Sequence, residues 1–104
     1  MAQAGNVQIF MTIVNWGEVY YSLLRAKGER VAQEATYVLD QLPVEVINMD
    51  MTLVQLASRF REKFQIPNGL CFAASLADSR HCPVLTGDEQ FRKLSEEVQI
   101  LWLK

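Results

Sequence analysis

Pro83-Val84-Leu85-Thr86-Gly87-Asp88-Glu89-Gln90-Phe91 is the stretch whose reading decides the fold. An apolar, β-favouring run closes on Gly87-Asp88 and turns directly into a helix start, which puts a carboxylate at the carboxyl end of a strand. Open α/β sheets keep their ligands at that end. The expectation is a strand over 83–86, a short helix from Asp88 to about Glu97 carrying Phe91 and Leu94, and any chemistry meeting at Asp88.

Working outward, residues 99–103 read as a final strand. Upstream, Leu70, Cys71, Phe72, Ala73, Ala74, Leu76 and Ala77 follow Asn68-Gly69 and are apolar on nearly every side, the pattern of a helix buried between other elements. Before them Leu53, Leu56, Ala57, Phe60 and Phe64 repeat at helical spacing. Thr52 is the expected cap of that helix and Gln55 completes a capping box. Val44-Glu45-Val46-Ile47-Asn48, bounded by Pro43 and Asp50, reads as a strand.

Residues 29–42 form a helix with the stripe Val31, Ala35, Val38, Leu39 and Leu42. Residues 15–27 form another, with Trp16, Val19, Tyr20, Leu23 and Leu24 on one face. Asn15 is the expected N-cap of the earlier helix, with Glu18 three residues on, and Gly28 joins the two into a helical hairpin. Residues 6–14 are a strand or an extended lead-in to that helix, and 1–5 a frayed end or remnant. Strands alternating with helices predict an α/β fold with right-handed crossovers and a short parallel sheet between helices.

A chain of 104 residues is one domain with a real core. Its formal net charge of -2 exerts no long-range pull on nucleic acid or anionic lipid. No apolar run approaches the ~20 residues that span a bilayer, and the first residues lack the features of a signal peptide. The expected location is cytoplasmic, away from membranes. Cys71 and Cys82, with the single His81, lack a second spaced pair of ligands, so free thiols are expected rather than zinc or a disulfide.

Two acids stand out by position, Glu18 one turn into the first helix and Asp88 at the strand end. Carboxylates from separate elements can hold a hard divalent ion, since Mg²⁺ needs only one or two of them with water and substrate phosphate. Both also have structural readings, Glu18 as the return half of a capping box and Asp88 as a cap. Asp50, after the strand 44–48, is either a further ligand or a turn residue before Thr52. Glu89 supports the site or sits at a helix N-terminus.

Three segments in register, Asn15-Trp16-Gly17-Glu18-Val19-Tyr20-Tyr21, Phe72-Ala73-Ala74-Ser75-Leu76-Ala77 and the opening stretch, resemble the PIN domain, especially the small toxin-like ribonucleases of toxin–antitoxin pairs. The resemblance implies a three-layer α/β/α fold over 11–104, with 1–10 an extension or remnant. It also implies a Mg²⁺- or Mn²⁺-dependent ribonuclease site in which Glu18 matches the helix acid and Asp88 the strand-end acid, with Asp50 and Glu89 as auxiliary metal ligands. The family's opening Asp-bearing strand has no counterpart, and Leu70 stands where the family has an Asp. The resemblance therefore implies a degenerate site that binds metal weakly, a protein acting through binding or assembly, and the alternative of an active endoribonuclease toxin. Implied partners are a second copy or a higher oligomer, an antitoxin protein, and RNA if the site is active. Candidate phosphate contacts are Arg25, Lys27, Arg30, Arg80 and Arg92, and Trp16, Tyr20 and Tyr21 are candidate base-stacking rings.

Overall fold

The computed structural model describes residues 8–103, and the expectation of a frayed end over 1–5 lies outside them. The chain divides into two compact units, Met1–Asn48 and Met49–Lys104.

The first unit contains β1 (Ile9–Thr12), α1 (Ile13–Lys27), α2 (Glu29–Asp40) and β2 (Val44–Ile47). β1 lies parallel to β2, with Ile9 opposite Val44 and Thr12 opposite Ile47. The strand runs straight into the helix. Thr12, not Asn15, is therefore the N-cap: its Oγ1 accepts from the Asn15 N–H at 3.0 Å and donates to Asn15 Oδ1 at 2.5 Å. Asn15 instead sits inside the first turn, and its side-chain amide donates to Glu18 Oε1 at 3.3 Å.

Gly28 links the two helices by itself. Its N–H donates to Leu24 O at 3.1 Å, its carbonyl accepts from Ala32 N at 3.1 Å, and its φ of 91° belongs to the region that favours a residue without Cβ. α2 stops at Asp40, two residues short of the expected end, because the chain turns through Gln41 and Leu42 to enter β2. The face it buries is centred on Ala32, with Val31, Ala35 and Leu39 half-buried, whereas Val38 and Leu42 from the expected stripe are exposed.

The second unit contains α3 (Met51–Phe64), α4 (Asn68–Arg80), β3 (Val84–Thr86), a 3₁₀ helix (Glu89–Leu94) and β4 (Ile100–Trp102). α3 begins at Met51 because Asp50 caps it, its Oδ1 accepting from the Leu53 N–H at 2.8 Å; Thr52 lies within the helix. The expected stripe does the packing, with Leu53, Ala57 and Phe60 buried and Leu56 and Phe64 half-buried. α4 is started by Pro67, whose carbonyl accepts from Leu70 and Cys71 N–H groups at 3.1 and 3.2 Å. As its composition requires, α4 buries Cys71, Ala74, Ser75, Leu76 and Ala77.

β3 and β4 are parallel, with Val84 opposite Ile100 and Thr86 opposite Trp102. Phe60, Ile66, Cys71, Ala74, Val84, Phe91, Leu94 and Val98 form the core of this unit, with Leu70, Phe72, Ile100 and Trp102 packed against it. Burial of each of the larger side chains contributes about 1.5–3 kcal/mol. The result is a mixed α/β protein with short parallel strand pairs, as the sequence leads one to expect. Among the described residues the parallel pairing is distributed over two two-stranded sheets, one in each unit. No helix in the described residues is long and apolar enough to cross a membrane.

Candidate functional site at the β3–β4 edge

Parallel pairing brings the carboxyl ends of β3 and β4 side by side. Leu103 N–H donates to Thr86 O at 2.8 Å, extending the ladder past Trp102, and a Cβ on Gly87 would rest 3.7 Å from the Leu103 side chain. The chain then turns at Asp88. Its N–H donates back to Thr86 Oγ1 at 3.0 Å, while its Oδ1 accepts from the Gln90 N–H at 2.9 Å and so caps the 3₁₀ helix. Asp88 is exposed. The helix expected from Asp88 to Glu97 is a tighter 3₁₀ turn that ends at Leu94, because Phe91 and Leu94 are both drawn into the core.

Glu89 is exposed but engaged by a neighbour. Its Oε1 accepts from Arg92 Nε at 2.9 Å, and the Arg92 guanidinium lies 4.8 Å from the centre of the Trp102 ring. The hydrogen bond to Glu89, followed by the charge of the same carboxylate, raises the Arg92 pKa above its ordinary value. Glu89, Arg92 and Trp102 thus form a chain of contacts between the 3₁₀ helix and β4. Arg92 was legible as a phosphate candidate. Trp102 was missed, although aligning Val84-Leu85-Thr86 with Ile100-Leu101-Trp102 in parallel puts it next to Thr86.

Asp50 stands at the carboxyl end of β2 in sequence and is occupied as the α3 cap. Glu18 belongs to the first unit, exposed on α1 and bonded to Asn15. Leu70, in the first turn of α4, is half-buried and packed against the core of the second unit. Trp16 and Tyr20 are half-buried and stack on each other at 5.3 Å, and Tyr21 is exposed beneath Arg25. Cys71 and Cys82 are free thiols. Burial pushes the Cys71 thiol up, Arg61 opposing. A hollow of about 350 Å³ between α3 and α4 is lined by Ala57, Ser58, Arg61, Glu62, Asn68, Cys71 and Phe72, where Arg61 donates to Asn68 Oδ1.

A mixed α/β fold with Asp88 at the carboxyl end of β3 belongs to the class of α/β proteins with parallel strand pairs, which keep their ligands at that end. The PIN domain family pattern matches residues 2–97, and the chain belongs to that family. No curated protein and no solved structure gives a significant match. Membership indicates a nuclease-like function in general terms, and PIN domains generally use divalent metals.

Several carboxylates of the second unit are already engaged by neighbours. Asp50 and Asp88 each use a carboxylate oxygen to close a helix end, Glu89 is tied to Arg92, and Leu70 offers a hydrocarbon. Within either unit, among the described residues, no three His, Cys, Asp or Glu side chains gather as metal ligands would.

Proposed function

We propose that this chain is a degenerate relative of the toxin-type PIN ribonucleases, with little or no metal-dependent cleavage, that acts through binding or assembly. The observation that supports this reading is the packing of Leu70 against the core of the second unit: by resemblance this position carries an acid in the family, and a carboxylate here would be partly buried. By resemblance Glu18 in the first unit and Asp88 in the second each match an acid of the family's pattern, and Asp50 and Glu89 are engaged by neighbours.

Titration calorimetry with Mn²⁺ is expected to give an affinity no tighter than about millimolar, and a fluorogenic RNA is expected to stay intact. RNA cleavage abolished both by EDTA and by Asp88→Ala would overturn the proposal in favour of an active endoribonuclease toxin with a reduced ligand set. Self-association belongs to the same reading. Ile13, Val19 and Tyr21 of α1 and Tyr37 and Val38 of α2 are exposed, an apolar load that favours a second copy or an antitoxin-like protein on the first unit. Light scattering is expected to return at least a dimer, and a monomer mass independent of concentration would refute that.

A further inference from the structure

The hollow between α3 and α4 shares no residue with the strand edge at Asp88. We propose that it is a binding site for a free α-amino acid with an apolar side chain, taking the carboxylate at Arg61 and Asn68, the ammonium at Glu62 and the side chain on a floor of Ala57, Cys71 and Phe72. The inference goes beyond the family-level reading and does not depend on it.

Helical spacing builds the hollow. On α3, Arg61 follows Ala57 and Glu62 follows Ser58 at i,i+4, so two long charged side chains stand one turn beyond two small ones. On α4, Asn68, Cys71 and Phe72 stand at i, i+3 and i+4. Where larger residues would interlock, Ala57, Ser58 and Cys71 leave a space of about 350 Å³. That volume falls at the lower end of the roughly 300–1,000 Å³ of small-molecule sites and suits a ligand of amino-acid size. Ala57 and Cys71 are buried and Phe72 is half-buried, so the floor is apolar. Ser58 adds little polarity, because its hydroxyl donates to Val54 O of its own helix at 2.9 Å.

The charges stand next to the α3–α4 junction, and their pattern selects the ligand. Arg61 donates to Asn68 Oδ1, and among the described residues its other guanidinium N–H groups have no hydrogen-bond partner. Burial raises the Cys71 pKa and the charge of Arg61 opposes that rise, so the field of the guanidinium reaches the floor. α4 starts at Pro67 without a side-chain cap and has no acid in its first turn, so the positive end of its dipole adds to the charge of Arg61. Glu62 is exposed and has neither a hydrogen bond nor an ion pair among the described residues. Arg61 and Glu62 thus border one hollow without pairing with each other. A carboxylate or phosphate alone would satisfy the arginine and be repelled by the glutamate, whereas an α-amino acid presents both signs on adjacent groups. Once bound, it ties the last turn of α3 to the first turn of α4.

Titration of the full chain with L-phenylalanine, followed through the amide shifts of Asn68, Cys71 and Phe72 in ¹H–¹⁵N spectra, tests the site. The affinity is expected to be about millimolar for a probe of this size. N-acetyl-L-phenylalanine, which lacks the ammonium, and L-phenylalanine amide, which lacks the carboxylate, should each bind about tenfold more weakly. Glycine, with both charges and no side chain, should leave the three amides unmoved. Arg61→Ala should weaken L-phenylalanine about tenfold and leave its amide unaffected. Glu62→Gln should weaken L-phenylalanine by a similar factor while tightening N-acetyl-L-phenylalanine, since a repulsive charge is gone.

Both substituted positions are exposed on α3, and an unchanged melting temperature checks that each variant folds. The analogues decide the question on the parent chain without any substitution. No shift of the three amides up to the solubility limit of L-phenylalanine overturns the site. Glycine binding as tightly as L-phenylalanine overturns the role of the floor. N-acetyl-L-phenylalanine binding as tightly overturns the free amino acid in favour of a peptide carboxyl terminus. Binding indifferent to both Arg61→Ala and Glu62→Gln overturns the paired-charge recognition.

Discussion

The two units meet a shared requirement, holding a parallel strand pair with helical connections, by different means. Apart from Thr12 and Ala32, the buried residues among those described all belong to the second unit, where α3, α4, the 3₁₀ helix and both strands converge on one apolar cluster. In the first unit α1 buries none of its residues, and order rests on the Thr12 cap, the Gly28 junction and the strand ladder. One region is organised by side-chain burial and the other by backbone geometry and local hydrogen bonds. The contrast also separates two surfaces, the strand edge that carries Asp88 in one unit and the exposed apolar side chains of α1 and α2 in the other.

The sharpest way to break the comparison is to truncate a leucine in each. Leu94→Ala, at a fully buried site, is expected to cost about 2–5 kcal/mol, whereas Leu23→Ala on half-buried α1 should cost about 1 kcal/mol. Urea denaturation measures both, and equal losses would show that the first unit has a core of its own. Next in size are the caps. Thr12→Ala and Asp50→Ala each remove an acceptor from a helix start, at about 1–2 kcal/mol apiece. The Thr12 change should be the larger because that side chain is 1% exposed and also bonds Asn15.

The smallest effect concerns the thiols. Burial raises the Cys71 pKa, so above the usual thiol value near about 8.5 the unfolded chain releases this proton while the folded chain keeps it. Fewer protons bound in the unfolded state mean that stability declines as pH rises there. Urea midpoints at about pH 8 and about pH 10 should show a shallow loss that Cys71→Ser removes. Mass spectrometry after iodoacetamide should find partly exposed Cys82 modified well before Cys71.

Helical stripes were the most readable feature, because Leu53, Ala57 and Phe60 recur at a spacing that no strand shares. The helix starts were harder. Thr12 and Asn15, like Asp50 and Thr52, are competing polar residues within a turn of each other, and the choice falls to the one where the preceding strand releases the chain. The 3₁₀ character of 89–94 follows from where the core accepts Phe91 and Leu94, a tertiary effect with no local signature. At the site, Asp88 as a strand-end cap was legible from six consecutive residues. The Arg92–Trp102 contact was not, because it joins elements through a strand register set by long-range pairing.

Gly28 has a kinetic consequence. β1 and β2 meet across 35 positions of sequence, Ile9 finding Val44, and closing such a loop through a disordered chain is slow and entropically costly. A junction of one residue between α1 and α2 lets a locally formed helical hairpin fold the connection back on itself, so the strand ends arrive together instead of searching for one another. The glycine is then a device that shortens the search as well as a turn in the finished structure.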